Sequence, residues 1–180
     1  MDVAIPLEKL TTYIEQQDFK GYDPYDALNS PLLSFLSFGR KYPRIAFTQA
    51  LKRSPINLRP LLFVPKGINP KGRALFLWGY AKLHKQHAEH KFLPQIQHLL
   101  NLLEQSKSPG HSGNSWGYNF DWQSRAFFIP KNTPAIVNTS FVGHALLDTY
   151  AYTDETKALD MAVPIAEDRA VNADPRIPNS

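Results

Sequence analysis

The 180 residues include 43% hydrophobic and 12% aromatic side chains, 15 prolines and no cysteine, at a net charge of +4. That apolar share builds a core and excludes a disordered chain, while the missing cysteine excludes disulfides, thiolate metal sites, a thiol nucleophile and thiol redox chemistry. The charge is uneven, −4 over residues 1–30, +11 over 31–108 and −3 over 109–180, which suits either an anionic ligand or the wet faces of helices.

In chain order, Leu7, Leu10, Tyr13 and Ile14 form a helical stripe over 7–19 that Gly21 ends. Asp23-Pro24 reads as N-cap and first residue of a helix over 24–38. Its predicted buried side chains are Leu28, Leu32, Leu33, Phe35 and Leu36, and Pro31 is expected to kink or break it. Pro43 opens a third helix through Leu51, and the four prolines of 54–70 mark a connector. Residues 71–87 read as a helix covered on several sides, and 92–105 as the cleanest amphipathic helix, with Phe92, Ile96, Leu99 and Leu103 on its stripe.

Periodicity disappears over 106–138, where Gly and Pro sit among aromatics. Arg125–Ile129 and Ala135–Val137 are the short strand candidates there. Helices return over 140–152 and 155–167, and the tail 168–180 reads as disordered. The expected fold class is therefore all-α, about seven helices in antiparallel hairpins, with one domain over 1–167. The longest stretch free of Asp, Glu, Lys and Arg, 132–147, is too short and too polar to span a bilayer, and Met1–Pro6 shows no signal-peptide pattern. A cytoplasmic protein without membrane insertion is expected, and no nucleic-acid partner.

Two motifs, Gly21-Tyr22-Asp23-Pro24-Tyr25-Asp26-Ala27-Leu28-Asn29-Ser30 and Trp116-Gly117-Tyr118-Asn119-Phe120-Asp121-Trp122-Gln123-Ser124-Arg125, are followed by Ile129-Pro130-Lys131 and Asn138-Thr139-Ser140-Phe141-Val142. Together they resemble a microbial family with the six-hairpin, α/α-toroid fold of certain glycosidases, linked to surface-polysaccharide biosynthesis. The resemblance runs from about residue 20 to about 166. It implies part of an α/α toroid with a long aromatic-rich loop, a carbohydrate or anionic-glycan partner, and glycoside-hydrolase-like chemistry if the chain is catalytic. The alternatives are a non-catalytic carbohydrate-binding or scaffold protein and an inactive truncated remnant. A full toroid of about twelve helices exceeds ~300 residues at roughly 10–14 residues per helix. The chain therefore reads as an N-terminal half whose exposed flank suits self-association.

Glycoside hydrolysis commonly uses two carboxyl groups about 5–5.5 Å apart for retention or about 6.5–9.5 Å apart for inversion. Asp121, among aromatic walls that would raise its pKa, is the acid/base candidate, with Asp23 or Asp26 as partner. Trp116, Tyr118 and Trp122 are the candidate sugar platforms, and Gln123, Arg125, Tyr22 and His144 the candidate polar contacts. Each has a structural alternative. The 114–125 loop also reads as a plug over helix ends, Asp23 and Asp26 as a cap, and His144 as a hydrogen-bonded core residue, and in each case the structural reading is preferred. His84, His87 and His90 sit three apart, but in a Lys-rich helix end where polar groups suit the dipole. No metal and no cofactor is expected. There is no phosphate-binding glycine loop, no Gly-x-Ser-x-Gly elbow and no Asp-x-Asp-Asp motif, and zero cysteine removes the zinc–thiolate toroid enzymes.

Overall fold

A computed structural model describes residues 4–86, 92–110 and 113–167. Among them the fold is all-α, with seven α-helices, one 3-10 helix and a single two-stranded hairpin. The described residues form two compact units. The first runs through Asn69 and takes back Phe120–Ile129; the second covers Pro70–Asn119 and resumes at Pro130. The tail expected to be disordered, 168–180, lies outside the described residues.

The first unit begins with α1 (Ala4–Gln16). The helix ends not at Gly21 but in a left-handed turn at Asp18 and Phe19, with φ of 48° and 55°. Of its predicted stripe only Ile14 is buried, while Leu10 and Tyr13 stay 52% and 61% exposed. Gly21 instead bridges to Gly67, bringing the connector alongside. The helix expected over 24–38 breaks in two, a 3-10 turn at Asp26–Asn29 and α2 at Pro31–Leu36. Proline causes the break, because it cannot donate to the preceding turn and fits the first position of a new helix. Ser30 caps that helix: its Oγ accepts from the Leu33 N–H at 3.1 Å and donates to the Leu62 carbonyl at 2.5 Å.

With only six residues, α2 turns little of its surface inward. Leu33 packs with Ala27, Leu51 and Val64, whereas Leu32, Phe35 and Leu36 are exposed, against expectation. The next helix, α3 (Lys41–Arg53), supplies Thr48 and Leu51 to the interior. The strands β1 (Trp122–Gln123) and β2 (Phe128–Ile129) pair antiparallel, Trp122 with Ile129 and Gln123 with Phe128.

The second unit is a helical bundle of α4 (Pro70–Gln86), α5 (Leu93–Gln105), α6 (Ile136–Thr153) and α7 (Thr156–Glu167). The α4 helix packs on α6 and α5, and α6 on α7. The α5 stripe is buried as its period predicts, through Ile96, Leu99, Leu100 and Leu103; full burial of such a side chain is worth about 1.5–3 kcal/mol. Small residues on the facing helices, Ala74, Ala81 and Ala145, are fully buried and allow close approach. The Trp78 indole donates to an Asp148 carboxylate oxygen at 2.5 Å and ties α4 to α6. Residues 135–137, expected as a strand, instead lead into α6. A short apolar run is ambiguous by itself, and here the periodic Val142, Ala145 and Leu146 downstream draw it into the helix.

Gly117 bridges to Pro134, and a Cβ there would lie 2.0 Å from the Thr133 carbonyl oxygen. Both parties are backbone, so neither can swing aside. Gly117→Ala is expected to destabilise the second unit by about 3 kcal/mol, the upper range for overpacking, read as a lower midpoint in denaturant unfolding.

Candidate functional site

A cleft of about 340 Å³ opens in the first unit. Such a volume lies at the small end of ligand pockets. One wall is a face of α3, where Ile45, Thr48, Gln49 and Arg53 recur at helical spacing. A second is the β1 hairpin with Trp122, Gln123, Ser124 and Arg125, and Tyr25 closes a third side.

Local chemistry sets this geometry. Ser124 builds the hairpin turn, its N–H donating to the Phe127 carbonyl at 2.9 Å and its Oγ accepting from the Phe127 N–H at 2.9 Å. The turn leaves Arg125 exposed at its tip. Trp122 stands edge-on to Phe127 with centroids 5.5 Å apart. The Arg44 guanidinium lies 4.3 Å from the Phe128 ring centroid and pins the hairpin to α3. Lys52 sits 4.2 Å from the Tyr25 ring centroid and donates to its hydroxyl at 2.5 Å. The lining thus holds two guanidiniums, one amide-bearing residue on each of two walls and two aromatics, and no carboxylate.

The other predicted residues of this unit hold the fold together. The Asp23 carboxylate accepts from the Tyr25 N–H at 3.0 Å and from the Asn69 amide at 3.0 Å. The Asp26 carboxylate accepts from the Asp23 N–H at 3.0 Å and pairs with Arg59 at 2.7 Å. Only the Asp26 half of a capping-box exchange is made, since the Asp26 N–H bonds the Asp23 backbone carbonyl at 3.2 Å and not its side chain. Arg59 also donates to the Asp23 carbonyl at 3.0 Å. Burial of Asp26 outweighs the opposing pull of Arg59 and the Asp23 amide, so its carboxyl titrates above the usual aspartate range. Tyr22 packs half-buried against the Leu33–Leu51 cluster, with Arg59 and Lys66 beside its ring. Asp121 immediately precedes β1, half-buried and engaged by the protein.

Trp116, Tyr118 and His144 belong to the second unit. Trp116 is fully buried, and its indole N–H donates to the Leu103 carbonyl at 2.8 Å, closing the end of α5. It has no face open to a sugar. The Tyr118 carbonyl accepts from the Asn132 N–H at 2.7 Å. His144 is exposed on α6, which overturns its reading as a core histidine, since its neighbours Ala145 and Leu146 take the interior. His84 is half-buried in the last turn of α4, and His87 and His90 lie outside the described residues. Among the described residues no three His, Asp or Glu side chains converge as a metal site.

Trp122, Gln123 and Arg125, adjacent in the sequence, share one wall of the cleft, and Tyr25, Ile45, Gln49 and Arg53, which the sequence did not single out, line the others. The spacing of 45, 48, 49 and 53 was the available signal, but Arg53 at a helix end reads as an ordinary partner of the dipole. No protein-family model, curated protein or solved structure matches the chain.

Arg59→Ala leaves a buried carboxylate unpaired, so it is expected to cost about 3 kcal/mol or more near neutral pH. The folded-state pKa of Asp26 already lies above its unfolded value, and losing Arg59 raises it further. As pH falls the native state takes up the proton first, so the deficit relative to wild type should shrink in mild acid. Denaturant titrations at the two conditions measure both.

Proposed function

We propose that the chain is a carbohydrate-binding protein of polysaccharide metabolism and that the first unit's cleft takes a sugar bearing an acidic group. The observation that carries this is the lining itself: Trp122, Tyr25, Arg53, Arg125, Gln49 and Gln123 share it, with no carboxylate. Aromatic rings stack on the apolar faces of sugars, amides read hydroxyls, and a guanidinium binds a carboxylate through charge-assisted hydrogen bonds. Among the described residues neither arginine has an ion-pair partner in the protein.

A non-catalytic binder is favoured over a glycoside hydrolase. Glycoside hydrolysis commonly uses paired carboxyl groups around the bound sugar, whereas neither Asp121 nor any other carboxylate lines the cleft and Asp23 and Asp26 are engaged by Tyr25, Asn69 and Arg59. The hairpins α4–α5 and α6–α7 are the repeating element that an α/α toroid needs, and their mutual packing supports that architecture.

Calorimetric titration with a glucuronate-containing oligosaccharide and its neutral counterpart tests the reading. Trp122→Ala is expected to weaken both by about tenfold, equivalent to ~1.4 kcal/mol. Arg125→Ala is expected to weaken the acidic sugar selectively. Equal affinities in wild type and Trp122→Ala would count against the cleft.

A further inference from the structure

We propose that the turn between α2 and α3 docks the protein onto an anionic lipid bilayer surface. The inference uses neither the cleft nor the carbohydrate reading. The turn is Phe35-Leu36-Ser37-Phe38-Gly39-Arg40-Lys41-Tyr42. Phe38 and Gly39 both take left-handed backbone, with φ of 48° and 68°, and reverse the chain. The reversal leaves Phe35, Phe38 and Tyr42 exposed at 73%, 72% and 79%, with the two phenylalanine rings 6.1 Å apart. Rings this open project from the surface, and nothing in the fold rewards leaving them in water.

Along the chain the charge that follows them is of one sign. Residues 31–69 contain seven Lys and Arg and no Asp or Glu. Arg40 and Lys41 are exposed beside the rings, and with Arg44 they load positive charge onto the start of α3, which has no side-chain cap. A helix N-terminus already carries partial positive charge, so the arrangement costs stability unless an anion lies nearby. A layer of headgroup phosphates supplies that anion, and the acyl boundary just beneath it accepts projecting aromatic rings. A second copy of the turn would instead bring like charges together. No described helix is long and apolar enough to cross a membrane, so this is attachment to the surface.

The test is co-sedimentation with phosphatidylcholine vesicles, with and without phosphatidylglycerol. The wild-type chain is expected to bind the anionic vesicles, to bind the zwitterionic ones about tenfold less, and to be released by salt. The double variant Phe35→Ser, Phe38→Ser is expected to lose about tenfold in partitioning while melting like wild type, because both rings are exposed. Lys41→Gln, also at an exposed site, should weaken binding by a smaller factor and keeps the test usable if the double variant unfolds. Indifference to phosphatidylglycerol overturns the proposal, as does full binding by the double variant. So does a single-stranded oligonucleotide bound through the same residues, or a wild-type dimer that the double variant splits.

Discussion

The first unit is organised around one buried ion pair. Asp26 accepts from Arg59 and from the Asp23 amide, and Arg59 reaches on to the Asp23 carbonyl. These contacts join residues more than thirty positions apart and fix the corner from which Tyr25 reaches the cleft. Burying two charges is expensive, and their attraction repays it only with satisfied hydrogen bonds on both sides. Here the backbone provides them. The corner also engages the two carboxylates, Asp23 and Asp26, that the sequence offered as partners for Asp121.

In the second unit the equivalent anchor is Trp116. Its ring fills the interior while its indole N–H joins the Ser106 N–H and hydroxyl on the Leu103 carbonyl at the end of α5. Its backbone N–H bonds the Thr139 hydroxyl at 3.1 Å, and its carbonyl accepts from Ala135 at 3.0 Å. One residue thereby joins the loop to the start of α6. Gly117 follows because the chain must then pass against Thr133 with no room for a side chain.

The parts of the fold that could be read in advance are those where periodicity and burial agree. The α5 stripe is the clearest case, and the Pro31 break follows from backbone chemistry alone. The α1 and α2 apolar positions misled, since a stripe reports what a helix can bury and not whether another element covers it. The aromatic motif misled for a related reason. Trp116 and Trp122 are six residues apart, yet the boundary between the two units falls between them, after Asn119. Tryptophan looks the same in a sequence whether it fills a core or lines a cleft. The spacing of Gln49 and Arg53 shows only a shared helix face; their meeting with Tyr25 and Trp122 depends on the corner at Asp26 and on the hairpin pinned by Arg44.

Because Phe120–Ile129 returns to the first unit after an excursion through the second, the amino-terminal body is topologically unfinished until late in synthesis. A nascent chain released to residue 69 has α3 and the Asp26 corner but lacks the hairpin that Arg44 clasps. Ribosomes add ~5–20 residues per second, so this incomplete body waits several seconds for its last segment, and its closure depends on contacts distant along the chain. Completion of the cleft is therefore a late, non-local event, and an amino-terminal fragment ending before residue 120 would contain α3 without the hairpin wall of the cleft.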